Sequence, residues 1–541
     1  MEKIIGRDAT VLSDEFGFLD DRTSLVKGQI NRVFQNISAF SQEMEAARNY
    51  IDFERVKKEI NDFLMFVFED ALKGKSADFV LGFEQSNISK YQTKHEVEKV
   101  ELIRLLALKN KFYTETLRNI TSLGKLDAIL KPEEKEDLLN MIESGVFSFL
   151  DDVYVEWYAN VYNGENEGIK NGKLVYGGVK DGEIVPLKSL SEKEIVIDDE
   201  KLSNIHNDHI RSYLLAFSHF IKEGITDYDS WVDAEISEVK SWQDRNSIFG
   251  LVAPMEDYIY PRLLIEPELM VFLRNLDKKV DFEDFYGLSE EYFGERYGMD
   301  HMTLDFVETL LQTGHSSCSG FIGKAFPNDT ELSEREGNCI LLKDTKMKET
   351  VMNAKKGLKA LLGDDFQIDD EKLYNELIKE VTYHEFGHSL FVKGHGDSLL
   401  EEAKATLFYY LQIFRENKIV PYTENDITRV VEFTIMDSIR NLERINQSSS
   451  KKYVILTKLN LSLLYSSSLI YWENDRLVID ANMVKFEIFL SAMKDMLDYI
   501  KNLYSLEEQD RSVEESRFLT NLEVQVQGNI ARMIGVLNNP L

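Results

Sequence analysis

The sequence predicts an α-rich α+β protein with a mainly helical C-terminal lobe, preceded by a mixed lobe with a small β element. Three observations predict it. Only 8 of the 541 residues are proline, the first at Pro132, and so few helix breakers favour helices. Apolar residues recur at alternating four- and three-residue steps near the N-terminus and again beyond residue 370. Aromatic and turn-rich stretches concentrate in the middle of the chain. The expected division is a helical N-terminal region over 1–150, a mixed α/β lobe over 151–342 and a helical lobe over 343–541.

Taken in order, Val26, Ile30, Val33, Ile37, Phe40 and Met44 form one amphipathic stripe, and apolar-rich segments follow over 56–72 and 97–117. Beyond Asp151 the texture changes, with turn signals at Asn171-Gly172 and Asp181-Gly182. The segments LVYGGVK and EIVPL flank the second of these and predict a β-hairpin. Residues 204–242 read as helical. A stretch bearing Pro254, Pro261 and Pro267 comes next, and then a turn-rich stretch from Thr313 with Gly314, Gly320, Gly323 and Pro327. Ile340 to Leu342 read as a short buried strand, and helices dominate from Lys343 onward.

Composition excludes several classes of function. The formal charge is 63 − 95 = −32. So acidic a chain is a poor partner for nucleic acid or an anionic membrane, whose phosphates need Lys and Arg. Cys318 and Cys339 are too few for a disulfide framework or a zinc knuckle. The N-terminus has no apolar core of a signal peptide, and no apolar run spans a bilayer, so a cytoplasmic protein is expected.

The chemistry concentrates in His384-Glu385-Phe386-Gly387-His388 and the following pair Glu401 and Glu402. Residues four apart share a helix face, so both imidazoles can reach one metal ion, for which Zn2+ is the expected choice. Glu385 lies roughly 100° round the helix, placed to act as general base on a water. The helix should start at Asp369 or Asp370 and stop near Gly394, with Leu377, Val381, His384, His388 and Phe391 on one stripe. Two histidines on an inward stripe could also be ordinary core residues.

A hydrolytic site needs a third protein ligand, and His395, Glu401 and Glu402 are the candidates. The metzincin pattern fails, because Phe391 and Gly394 stand where it requires glycine and histidine. Ser398 and Glu401 read as a capping box, which gives Glu401 a local job or a supporting one behind a ligand imidazole. Glu402, one position on, is then free for the metal.

These segments resemble the dipeptidyl peptidase III family of zinc exopeptidases and its nudix-associated relatives. LLEEAKAT (399–406) is similar to the motif in which the second Glu of the pair ligates zinc. PMEDYIYP (254–261) resembles the family's Glu-x-Tyr segment. That match implies that Glu256 holds the substrate's free amino group and that Tyr258 hydrogen-bonds the tetrahedral intermediate. SGFIGKAFPND (319–329) looks like the loop that binds the peptide backbone, with Asn328 matching and Ala325 replacing the first Asn. GNCILLKD (337–344) resembles the segment leading into the catalytic lobe. The implied fold is two lobes around a cleft.

The chain also departs from the family. Three residues rather than four separate the histidines, and the spacing to the acidic pair is short. Thr406 stands where an acidic residue is usual. The family's downstream catalytic histidine has no counterpart, since no histidine follows His395 and its place falls near 458–460. The expected function is a zinc dipeptidyl exopeptidase acting on short peptides. An oligopeptidase or aminopeptidase of another type, or a catalytically degenerate peptide binder, are the alternatives. The natural peptide and the oligomeric state are not legible.

Overall fold

The computed structural model describes residues 99–157, 179–180, 183–184, 196–223, 228–244, 247–252, 268–275, 283–294, 302–314, 322–326, 335–390, 398–442 and 451–538. Scattered positions between 32 and 62 are also described. In chain order the elements begin with α1 (Lys99–Ser122), α2 (Pro132–Glu143), α3 (Val146–Trp157), and the short strands β1 (Val179–Lys180) and β2 (Glu183–Ile184). Next come α4 (Asp199–Ser203), α5 (Asp208–Glu223), α6 (Tyr228–Gln243), β3 (Phe249–Val252), β4 (Glu268–Arg274) and α7 (Glu283–Phe293). Then follow β5 (Met302–Gly314), β6 (Gly323–Phe326), β7 (Asn338–Lys343), α8 (Asp344–Leu362), α9 (Asp370–Gly387) and α10 (Glu401–Ile419). The last are α11 (Glu424–Leu442), α12 (Lys451–Ser466), β8 (Ile470–Glu473), β9 (Arg476–Ile479), α13 (Met483–Tyr504) and α14 (Glu508–Asn538). The protein is α-rich α+β, as the sequence predicts.

Five strands form one sheet in the order β3-β4-β5-β7-β6. Pairing is antiparallel from β3 to β4 and from β4 to β5, with a register shift between Val271 and Phe272. The hairpin expected at Asp181-Gly182 is present, pairing Val179 with Ile184 and Lys180 with Glu183. Ile340, Leu341 and Leu342 lie buried in β7, as their apolar run predicts.

Four of the five strands of this sheet escaped the sequence reading, β3 at the start of the proline-bearing stretch among them. β4 is hidden behind the prolines of the stretch before it, and β5 reads as a run of mixed polarity. β6 lies inside glycine-rich sequence that suggests only loop. A further omission is the β8–β9 hairpin in the helical part, where Asn474 and Asp475 turn the chain with φ of 47° and 63°. Asn and Asp tolerate that left-handed conformation better than other non-glycine residues, and so permit a two-residue turn.

By internal contacts the chain divides into two compact units. One comprises Met1–Lys279, Asp305–Phe321 and Phe326–Cys339, and the other Val280–Leu304, Ile322–Ala325 and Ile340–Leu541. In the first, the fully buried Arg274 guanidinium donates to the carbonyls of Ser241 (2.9 Å), Asp244 (2.6 Å) and Ser247 (3.2 Å). It also lies 3.3 Å from the buried Asp305 carboxylate. These bonds tie the end of α6 to β4 and satisfy a charge that would otherwise be costly to bury.

The second unit is built around α10. Ala403, Ala405, Leu407, Phe408, Tyr409, Tyr410, Leu411 and Ile413 are all buried, so the helix is covered on every side, as a central helix must be. It packs against α9, α12 and α13. Phe386 of α9 stacks on Phe408 of α10 at 5.3 Å, and Phe285 of α7 stacks on Tyr383 at 4.2 Å.

On α11, burial pushes the Glu432 carboxyl up to about 7, with Asp369 and Asp370 adding repulsion. Its folded pKa is thus above the unfolded one, so its contribution favours folding at low pH and is lost as pH rises towards 7. Glu432→Gln should therefore raise stability at pH 8 by on the order of 1–2 kcal/mol and leave it nearly unchanged at pH 4. Urea denaturation of both proteins at the two pH values measures this.

Candidate metal centre

The Asp369 carboxylate caps α9 by accepting from the Lys372 amide at 3.1 Å. That start agrees with the sequence. The end does not: α9 stops at Gly387, with His388 as C-cap, rather than near Gly394. The reason lies in α10. A Cβ on Gly387 would stand 2.5 Å from the Ala405 carbonyl oxygen and 2.8 Å from its Cα, so here the helix meets another backbone. Just beyond, the buried Lys404 ammonium takes the carbonyls of His388 (3.2 Å) and Leu390 (2.6 Å). A lysine thus satisfies carbonyls that a helix end leaves free, with no glycine cap required.

The capping box at Ser398 is also absent. α10 begins at Glu401 itself, with Leu400 as N-cap and no side-chain cap. Glu515 of α14 accepts the Leu399 amide (2.7 Å) and lies 3.3 Å from the Ser398 hydroxyl. Ser398 Oγ in turn accepts from Leu400 N at 3.1 Å. A carboxylate from a distant helix therefore does the work that the sequence assigned to a local pair. Glu401, released from capping, contacts His388 Nδ1 (3.1 Å), Lys404 Nζ (2.7 Å) and the Tyr504 hydroxyl (3.2 Å).

Glu402 points the other way, towards the histidines. Its Oε2 is 3.2 Å from His384 Nε2 and 3.8 Å from His388 Nε2, and the two Nε2 atoms are 3.2 Å apart. Tetrahedral Zn2+ with bonds of 2.0–2.1 Å would separate its ligand atoms by about 3.3 Å, so the triangle is of the right size. Glu402 Oε2 is also buried without a hydrogen bond, an acceptor that a cation would satisfy. Among the described residues, this is the one trio of His, Cys, Asp or Glu whose ligand atoms gather so closely. The residues present therefore fit a metal ion.

Electrostatics fit as well. Burial alone would lower the His384 pKa, but Glu402, Glu380 and Glu385 outweigh it and hold the ring at about 9. Burial would raise Glu402, but the two histidines hold it at about 2; Glu401 is held at about 2 against burial by Lys404 and His388. The site thus concentrates negative charge around two imidazoles, as a cation would require.

Glu385 is half-buried. A Cβ added to Gly323 of β6 would come within 3.4 Å of Glu385 Oε1 and 2.2 Å of Val381 Cγ1. Only glycine lets that strand pass so close to this turn of α9. Glu256, Tyr258, Asn328 and His395 lie outside the described residues. The expected place of the missing histidine falls within α12, where Asn460 is fully buried. Sequence reasoning passed over Glu380, Lys404 and Gly387. The signals available were an acidic residue one turn before His384, a lysine three residues after Glu401, and a glycine within a helix.

The fold is similar to that of dipeptidyl peptidase III from Caldithrix abyssi, with a TM-score of 0.51 and 14% identity over 82% of this chain and 93% of that one. A dipeptidyl peptidase III structure from Corallococcus sp. strain EGB aligns with a TM-score of 0.46 and 11% identity, covering 63% of this chain and 65% of that one. No family profile and no curated protein matches the sequence. At 14% identity the first of these likenesses shows a shared fold and no more.

Two substitutions test how the helices are held. Gly387→Ala should cost about 2–3 kcal/mol, because the added methyl meets backbone that cannot rotate away. Lys404→Met should cost about 3–5 kcal/mol by leaving the Glu401 carboxylate uncompensated. Thermal or urea unfolding measures both, and losses under 1 kcal/mol would contradict the packing described.

Proposed function

We propose that the chain is a zinc metallopeptidase, a divergent relative of dipeptidyl peptidase III that releases dipeptides from the free N-terminus of short peptides. The carrying observation is the convergence of His384 Nε2, His388 Nε2 and Glu402 Oε2, with Glu385 between the histidines in sequence. The dipeptidyl peptidase III-like fold supports the choice of reaction.

In this reading His384, His388 and Glu402 hold one Zn2+. When bound, the ion supplies Lewis acidity, acidifying a water and polarising a carbonyl. Glu385 is the general base: its carboxylate takes a proton from the attacking water and passes it to the leaving amine nitrogen. Glu401 keeps the His388 ring oriented, itself neutralised by Lys404. By resemblance, Glu256 would receive the substrate's amino group, Tyr258 the developing oxyanion and Asn328 the peptide backbone. The partner is a peptide, with no part for nucleic acid or membrane, and the location cytoplasmic. None of the described helices is long and apolar enough to cross a membrane.

Glu385→Gln should lower turnover about 10²–10⁴-fold while leaving zinc uptake intact, since it removes a proton acceptor and no ligand. Product analysis by mass spectrometry should show successive dipeptides from the amino end, and N-acetylation should block cleavage. Single residues or internal cuts would point instead to another His-Glu-x-x-His peptidase. The absence of any histidine after His395 favours a second reading, a binder without turnover. Tight binding of peptides that remain whole in zinc-loaded protein would establish that reading.

A further inference from the structure

Resting on the metal reading above, we infer that Glu380 is a positioning residue for His384, acting through the hydroxyl of Thr406. His384 Nδ1 lies 2.7 Å from Thr406 Oγ1, and Thr406 Oγ1 lies 3.3 Å from Glu380 Oε1. The direct distance from Nδ1 to Glu380 is 3.8 Å, too long for a hydrogen bond. Thr406 Oγ1 donates to Glu380 Oε1, and a hydroxyl has one proton to give. The chain of donors therefore runs one way: His384 Nδ1–H donates to Thr406 Oγ1, and Thr406 O–H donates to Glu380 Oε1. That direction fixes the imidazole as the Nδ1–H tautomer and turns the Nε2 lone pair towards His388 and Glu402, where a metal would sit.

Local structure explains why these three residues meet. Glu380 is one helical turn before His384 on α9, so the two share a face. Thr406 is one turn after Glu402 on α10, and the close approach at Gly387 presses that face of α10 against α9. Glu380, Thr406 and His384 are all buried, so water offers no competing partner for their bonds. The second ligand, His388, receives its carboxylate directly from Glu401 at 3.1 Å. Both imidazoles are thus backed by a carboxylate, one by contact and one through a hydroxyl. Position 406 is a threonine, and the charge behind His384 comes from Glu380 on the neighbouring helix.

The test is zinc affinity, measured by chelator competition on purified full-length protein, with the melting of each metal-free variant followed by circular dichroism. Glu380→Gln removes the charge and Thr406→Val removes the hydroxyl at constant shape. Each should weaken zinc binding about 10–100-fold. Adding Thr406→Asp to Glu380→Gln returns a carboxylate directly to Nδ1 and should recover the affinity to within a few-fold of wild type. A structural role alone would not predict that recovery. Wild-type affinity in either single variant would overturn the inference, as would a well-folded double variant that fails to recover. Failure of the wild type to bind zinc would overturn the metal reading and this inference together. Zinc binding indifferent to Glu380 and Thr406 would overturn this inference alone.

Discussion

The close approach of two helix backbones at Gly387 and Ala405 is the constraint on which the site depends. α9 and its C-cap His388 carry both imidazoles and the proposed base, whereas α10 carries the proposed third ligand, its neighbour Glu401 and the hydroxyl behind His384. A carboxylate on a short glutamate stem can reach an imidazole nitrogen at 3.2 Å only if its helix lies close by. Any side chain at position 387 would hold the helices apart, since the atoms it would meet are main-chain atoms. Apolar contacts around the site, including Phe386 on Phe408, keep the pair together.

So close a contact between helices brings polar groups into the interior, and several are paired locally. Lys404 is buried, yet its ammonium contacts the Glu401 carboxylate and two carbonyls at the end of α9. Glu376, one turn before Glu380, accepts from the Tyr409 hydroxyl at 2.6 Å and pairs with Arg429 at 2.7 Å. Tyr410 shares a hydrogen bond with Thr434 of α11 at 2.8 Å. A buried charge is tolerable only with such partners, and each partner fixes the rotation of a helix about its axis. Glu402 Oε2 is buried without a hydrogen bond and faces the two imidazoles. A metal ion held between these three side chains would satisfy that oxygen.

The sequence made the α-rich character, the hairpin at Asp181-Gly182, the strand at Ile340 to Leu342 and the start of α9 legible, because each rests on local chemistry. Scarce prolines, an Asp-Gly turn, an apolar run and an N-cap act over a few residues. The end of α9 and the start of α10 were misread because distant residues decide them. Lys404 closes the first and Glu515, more than a hundred positions downstream, supports the second. The edge strand β6 was hidden because its glycine, the feature that suggested a loop, serves a close approach to Val381. Glu380 was passed over because its role requires Thr406, and only the packing of two helices shows that they meet.

The measurement that reaches the central claim most directly is X-ray absorption at the zinc edge on protein loaded with one equivalent of Zn2+. Zinc held by His384, His388 and Glu402 should show a four-coordinate shell of nitrogen and oxygen at about 2.0–2.1 Å, with outer-shell scattering from two imidazoles and no sulfur. Replacing Glu402 by Ala should remove one light scatterer from that shell or abolish loading. A shell with fewer than two imidazoles, or one unchanged by loss of Glu402, would contradict the site formed by His384, His388 and Glu402.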